Sequence, residues 1–90
     1  MKVSNMQSSN GNTIANQFII SDNGNMYFQS YNSIIAKIDS DGKISLDSYY
    51  WDYSVTTSKY RNIFLSEKKP VTKKKIEDGL YKLTNLNEVI

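Results

Sequence analysis

The side chains able to do acid–base or metal chemistry in this sequence are carboxylates and amines. The 90-residue chain has no histidine and no cysteine, which removes the usual general base, the usual zinc ligands and any disulfide. None of the nine carboxylates stands at a spacing that pairs it with a nucleophile. The sequence contains no phosphate-binding loop, dinucleotide fingerprint or serine-hydrolase elbow. We therefore expect a non-catalytic protein that uses no metal and no cofactor.

The segment 39–42, Asp-Ser-Asp-Gly, is similar to the start of a calcium-binding loop. With Asp39 in the first position, the sixth is Ile44 and the twelfth is Tyr50, where the motif requires Gly and Glu. The register that places Gly42 sixth fails at its first and last positions as well. The segment is typical of a tight hairpin loop instead.

A basic cluster is the first candidate for a binding site. Five lysines lie within eight residues: Lys68, Lys69, Lys73, Lys74 and Lys75. Residues 51–90 carry a net charge of +3, whereas residues 1–50 carry −1. A solvated helix face explains such a run in the simplest way. The last three lysines, however, begin a predicted helix, where the macrodipole disfavours cations and free N–H groups suit a phosphate or an acidic protein surface.

The aromatic segment 49–65 is the second candidate site, since it holds the single tryptophan, the single arginine and four of the seven tyrosines. Helical spacing assigns most of its apolar side chains to the core, namely Trp51, Val55, Tyr60, Ile63 and Phe64. Lys59 and Arg61 then lie on the opposite side of the helix. Arg61 beside Tyr49, Tyr50 or Tyr53 forms a predicted surface for stacking bases or anchoring a protein partner, and we take Tyr49, Tyr50, Lys59 and Arg61 as its site residues.

Two β-hairpins are predicted to precede these segments. Asn23-Gly24 tolerates the positive φ angles of a type I′ turn and sets Ile20 opposite Tyr27, with apolar residues on both faces of the hairpin. In the second hairpin, a three-residue loop with a left-handed Gly42 pairs Ile38 with Ile44 and Ala36 with Leu46. A two-residue turn would pair Ile38 with a serine, so the side-chain pattern favours the longer loop.

Two helices and a strand complete the predicted order ββββααβ, an α+β domain with a mainly antiparallel sheet. The first helix is capped by Asp52 or Ser54 and ends near Ser66. The second runs over 73–78 and is capped by Thr72, and a left-handed Gly79 ends it. A strand over 80–83 follows. We expect a mobile N-terminal tail over 1–15, one domain over 16–87 and a C-terminal tail over 88–90.

Several segments resemble a family of small uncharacterised proteins from phages and prophages of low-GC Gram-positive bacteria. They are Asn-Gln-Phe-Ile-Ile at 16–20, Tyr-Phe-Gln-Ser-Tyr-Asn-Ser-Ile-Ile-Ala at 27–36, the segment 50–62 and Leu-Thr-Asn-Leu-Asn at 83–87. The resemblance assigns no activity and no binding residue. It implies an accessory protein that binds and redirects or blocks host machinery, including defence systems such as CRISPR nucleases.

These observations predict a phage accessory protein that binds and modulates or inhibits a host protein or nucleoprotein complex, as an anti-CRISPR or other anti-defence inhibitor does. The alternative is a small basic nucleic-acid-binding module in which Tyr27 and Tyr31 stack on bases. A homo-oligomer formed through the apolar hairpin faces is a third interpretation. The sequence shows no membrane-spanning run and no export signal, so we expect no membrane partner and a location in the bacterial cytoplasm.

Overall fold

The computed structural model describes residues 1–87, which form a six-stranded sheet with two helices on one face. The strands are β1 Lys2–Gln7, β2 Thr13–Asp22, β3 Asn25–Ser30, β4 Ser33–Ile38, β5 Ile44–Asp47 and β6 Tyr81–Thr84. The helices are α1 Val55–Leu65 and α2 Lys69–Glu77. Strands β1 to β5 form an antiparallel meander, and β6 adds to β5 in parallel. The predicted α+β class with a mainly antiparallel sheet is confirmed.

Both predicted hairpins form in the expected register. Asn23 and Gly24 have φ angles of 52° and 85°, and Ile20 lies opposite Tyr27. In the second hairpin Gly42 has φ 83° and Ile38 lies opposite Ile44. Local turn chemistry therefore sets the pairing of the central strands.

The N-terminal segment differs from the mobile tail that we expected over residues 1–15. Residues 2–7 form β1, which pairs with β2 and sets Val3 opposite Ile20. Met6 is 7% exposed and belongs to the core. Pairing with β1 gives hydrogen-bond partners to backbone groups of β2 that would otherwise be unpaired at the sheet edge. The stabilisation from this pairing outweighs the disorder that the polar composition of the segment predicts. The predicted tail over 88–90 lies outside the described residues.

Helix α1 packs on the sheet through a face that coincides only in part with the predicted one. Its fully buried residues are Thr57 and Arg61, and the Phe64 ring lies 5.9 Å from that of Phe28 in β3. Val55 is 90% exposed and Ile63 is 53% exposed, so their assignment to the core is wrong. The residues at 57, 61 and 64 have helical spacing, but two of them are polar, and apolar periodicity does not detect such a face. Trp51, Tyr60 and Phe64 do pack against the core as predicted.

Helix α2 begins four residues earlier than predicted. Pro70 lies in its first turn, where the missing N–H costs nothing, and Gly79 with φ 76° follows its end as expected. The early start moves Lys74 and Lys75 into the last turn. The macrodipole favours cations in the last turn. The expected electrostatic cost of these two lysines at a helix start is therefore wrong.

Candidate functional site

Four tyrosines form an exposed aromatic surface at one end of the sheet. Tyr49, Tyr50 and Tyr53 come from the turn between β5 and α1, and Tyr31 comes from the β3–β4 turn. Tyr49 is 69% exposed, Tyr53 61% and Tyr31 56%, whereas Tyr50 is partly buried against the core. We call this set the tyrosine surface.

Three rings of the tyrosine surface, those of Tyr49, Tyr50 and Tyr53, pack on each other. The ring centres of Tyr49 and Tyr50 are 4.6 Å apart at an interplanar angle of 85°, and those of Tyr50 and Tyr53 are 5.2 Å apart at 65°. Edge-to-face pairs of this kind stabilise each other by about 0.5–1.5 kcal/mol beyond area burial. The aromatic side chains are thus ordered before any partner arrives.

Two depressions flank Tyr53. One, of about 320 Å³, separates it from Tyr31 and has Tyr50 and Thr57 in its wall. The other is an open hollow of about 670 Å³ on the opposite side of Tyr53, and its lining includes Lys59 and Lys69. The surface therefore combines aromatic ridges with recesses, which a partner's side chains can fill.

Asp47, at the end of β5, anchors the turn that carries Tyr49, Tyr50 and Tyr53 to the sheet. We call this turn the tyrosine turn. It is 1% exposed. One carboxylate oxygen accepts hydrogen bonds from the backbone N–H groups of Tyr49 and Tyr50, at 3.1 and 2.8 Å. The other accepts from the N–H of Leu86 at 2.8 Å and from the side-chain amide of Asn87 at 3.0 Å. A single buried carboxylate thus joins the turn to the segment after β6.

Arg61 holds the second half of the same turn from beneath. Its guanidinium is fully buried, donates a hydrogen bond to the backbone carbonyl of Trp51 and lies 5.3 Å from the centre of the Trp51 ring. A further guanidinium nitrogen donates to the side chain of Asn62 at 3.0 Å. The prediction that Arg61 is an exposed anchor is wrong. Arg61 supports the surface and does not belong to it.

Asp52 is the third residue that holds the turn between β5 and α1 in place. Its carboxylate accepts hydrogen bonds from Ser58 at 3.0 Å and from Lys69 at 2.6 Å, and lies 3.8 Å from the Arg61 guanidinium. Burial raises the pKa of Asp52, but the hydrogen bonds and positive charges of these neighbours outweigh burial and leave the pKa below its ordinary value. At neutral pH the carboxylate is charged and links the turn to both helices.

Tyr31 occupies a strained backbone conformation. Its φ angle is 55°, in the left-handed region that costs a side chain with a Cβ about 1–2 kcal/mol. A bulky residue is uncommon there, and such strain concentrates at functional positions. The chain thus keeps a tyrosine at a position where glycine is conformationally favoured.

The predicted lysines separate into two groups. Lys59 and Lys69 line the hollow beside Tyr53, whose ring contacts those of Tyr49 and Tyr50. The others lie at the start of α2 or along it: Lys68, Lys73, Lys74 and Lys75. Three of the five clustered lysines form ion pairs, which leaves less free positive charge than the sequence suggests.

Glu67 links α2 to β6 through hydrogen bonds. Its nearly buried carboxylate accepts hydrogen bonds from Thr72 at 2.6 Å, Tyr81 at 2.7 Å and Lys75 at 2.9 Å. Burial raises the pKa of Glu67, yet these three donors and the charge of Lys75 hold it below its ordinary value. The same contacts raise the pKa of Lys75. Lys75 is therefore held by contacts within the fold.

The sequence named Tyr31 only for the nucleic-acid alternative, and Tyr53 is not among the final predicted site residues. Nothing in the local sequence reveals the left-handed φ of Tyr31. The anchoring role of Asp47 depends on partners about 40 positions away in the chain. Within the described residues, no three potential metal-binding side chains cluster, and neither helix is long and apolar enough to cross a membrane.

The chain belongs to a family of unknown function, DUF8033, which matches residues 1–79. The matched region runs from β1 to the glycine that ends α2. It therefore includes the N-terminal strand and the whole turn that carries Tyr49, Tyr50 and Tyr53. No curated protein and no solved structure matches the chain.

Replacing Asp47 by Asn should lower the free energy of unfolding by about 2–4 kcal/mol, because an amide accepts at only one of the two positions that now receive N–H donors. Urea denaturation measures the loss. The matched control is Asp41→Asn in the exposed hairpin loop, which should change stability by less than about 0.5 kcal/mol. Equal stability of the two variants would contradict the anchoring role of Asp47.

Replacing Tyr31 by Gly should raise the free energy of unfolding by about 0.5–1 kcal/mol, because glycine adopts the left-handed conformation without strain. Tyr49 lies outside the left-handed region, so Tyr49→Gly should instead lower stability by about 1 kcal/mol. Thermal and urea unfolding of both variants provide the comparison. A destabilised Tyr31→Gly variant would show that its ring stabilises the turn by more than the strain costs.

Stability should fall with acid more steeply in the wild type than in Glu67→Gln. A carboxylate whose folded-state pKa is lowered stabilises the fold above its unfolded-state pKa, and this contribution disappears as pH falls through the folded-state value. For Glu67 the loss begins below about pH 4.5, its ordinary value. Urea titrations between about pH 7 and pH 2 measure both slopes. Identical slopes would contradict the proposed role of the Glu67 hydrogen bonds.

Proposed function

We propose that this protein is a non-catalytic binding protein whose tyrosine surface docks on a host macromolecule and modulates or inhibits it. The observation that carries the proposal is the clustering of four tyrosines, three of them more than half exposed, over buried polar anchors. Exposed aromatic clusters of this kind are typical of binding hot spots.

The rigidity of the tyrosine surface supports binding. Tyrosine offers a large contact area with few rotatable bonds, so ordering it on binding costs little entropy. Here the turn is already fixed by Asp47 from one side and by Arg61 from the other. A preorganised surface spends less of its interaction energy on ordering.

The chemistry of the depressions supports binding without catalysis. The hollow beside Tyr53 contains one carboxylate, that of Asp52, and it is engaged by Lys69, Ser58 and Arg61. A carboxylate held in the charged state by three neighbours is a poor proton donor at neutral pH. The remaining lining is hydroxyl, amide, apolar and lysine side chains.

The partner that we propose is a host protein or nucleoprotein complex in the bacterial cytoplasm. Lys59 and Lys69 beside the tyrosines favour a partner surface with some acidic groups. The phage origin and the anti-defence role rest on the sequence resemblance alone. Within this proposal, a component of a defence system is the partner class that the resemblance indicates.

The ion pairing of the lysines favours a protein over nucleic acid as the molecule that this surface contacts directly. Lys69, Lys74 and Lys75 are paired with Asp52, Asp78 and Glu67. A surface that tracks a phosphate backbone gains affinity by presenting lysines that are free to replace condensed counterions. Pairing these amines internally reduces that gain.

The decisive experiment compares partner capture by the wild type with capture by Tyr49→Ser/Tyr53→Ser, using lysate of a low-GC Gram-positive bacterium. A partner recovered by the wild type should bind the double variant at least about tenfold more weakly in a titration of the purified components, because hot-spot tyrosines dominate binding energy. The control variant is Val71→Ser/Leu80→Ser, which removes exposed apolar side chains from outside the tyrosine surface.

Equal affinity of the wild type and the tyrosine variant for the recovered partner would contradict the proposal. Equal weakening by the control variant would contradict it as well, since the effect would then be non-specific. Salt-sensitive binding of purified protein to single-stranded or duplex nucleic acid, unaffected by the tyrosine substitutions, would support the alternative of a nucleic-acid-binding module.

A further inference from the structure

The sheet has a second face that carries an apolar patch away from the helices. Strand pairing aligns Val3, Ile20 and Tyr27 in one row across β1, β2 and β3. Phe18 and Ile34 lie in the next row, on either side of Gln29. We call these five apolar residues the open face. Successive side chains of a strand point to opposite faces, so the open face points away from Phe28, which contacts α1.

None of the described helices covers the open face. The partly buried residues that pack against the core come from the other face of the sheet, from the tyrosine turn and from the two helices, and they include no member of the open face. Val3 is 55% exposed, and the other four are partly exposed. An apolar patch of this extent on one side of a sheet is typical of an interaction surface.

We propose that the open face binds a second copy of this chain, sheet against sheet. The charged residues on this face favour a second copy over other binding partners. Lys37 and Lys82 continue the row of Tyr27, and Asp22 follows Ile20 on the same side of β2. A face that binds a polyanion is predominantly basic, whereas a face that carries both signs around an apolar centre is self-complementary, because the lysines of one copy can pair with the aspartate of the other.

The dimensions of the face fit a dimer. Six strands spaced about 4.8 Å apart and about six residues long on average present a surface of roughly 29 Å by 20 Å. Stacking two such surfaces buries about 1,200 Å² in total, which is the lower end of the range of specific interfaces. An apolar centre with lysines and an aspartate towards the rim has the usual anatomy of such an interface.

Dimerisation through the open face is independent of the proposed function and compatible with it. Tyr50 and Tyr53 share a cavity wall with Thr57 of α1, on the side of the sheet that the helices cover. A sheet-to-sheet dimer therefore leaves both tyrosine surfaces accessible. Two surfaces on one particle raise the avidity for a partner that is itself repeated.

The test is sedimentation velocity of the full chain from about 1 to about 500 μM, a range that covers weak and moderate dimers. The mass should rise from 10.3 kDa towards twice that value. Ile20→Thr/Tyr27→Thr keeps strand-forming residues while removing apolar contact, and should raise the dissociation constant of the dimer at least about tenfold. Tyr49→Ser/Tyr53→Ser is the matched control and should leave the dimer unchanged.

A mass that stays monomeric at every concentration overturns the proposal. So does a dimer that dissociates with the tyrosine-surface control but not with the open-face variant. A monomer whose salt-sensitive binding to single-stranded RNA is lost in the open-face variant overturns it in favour of nucleic acid.

If circular dichroism shows that the open-face variant does not fold, hydroxyl-radical footprinting of the wild type decides. Oxidation of Phe18 and Tyr27 should fall between the lowest and the highest concentration, while oxidation of Tyr49 and Tyr53 should not. Equal oxidation of Phe18 and Tyr27 at both concentrations overturns the proposal.

Discussion

The buried carboxylate of Asp47 is the constraint on which the exposed surface depends. It ends β5, accepts hydrogen bonds from two backbone groups of the tyrosine turn and accepts two more from the segment that follows β6. Charge-assisted hydrogen bonds are about twice as strong as neutral ones, and four of them keep a buried charge satisfied. The side chain of Asn87, fixed in this way, in turn bonds both backbone groups of Ile34 in β4. A single residue therefore couples β5, the turn and the segment that follows β6.

The buried polar residues under α1 serve the same purpose. Thr57 bonds Ser30 across the helix–sheet contact at 3.1 Å, and Arg61 bonds the carbonyl of Trp51. The buried guanidinium keeps its hydrogen bond to the Trp51 carbonyl only while the turn keeps its shape. The polar contacts thus specify one arrangement of the turn, and the tyrosines project from it. Function, in the proposal made here, follows from aromatic side chains held by polar anchors rather than from a reactive group.

A chain of this size buries only part of its apolar surface on folding. The position of the apolar side chains that stay exposed indicates where partners bind. The helices cover one face of the sheet, and the described residues leave apolar side chains on the other face and at the tyrosine turn. The two patches differ in character. The tyrosine surface is ridged, aromatic and flanked by Lys59 and Lys69, which suits recognition of a foreign partner. The open face is the side of the sheet away from the helices and carries both signs of charge, which suits a second copy.

The sequence by itself determined the local geometry of this protein. Asn23-Gly24, Gly42 and Gly79 adopt the left-handed angles that their turns demand, because glycine and asparagine tolerate them wherever the rest of the chain lies. Tertiary structure decided everything that depends on distant partners. It recruited the polar segment 2–7 as a strand, buried Arg61 beneath the turn and left Val55 exposed. Periodicity cannot show these outcomes, because a polar side chain is buried wherever distant backbone groups satisfy it better than water does.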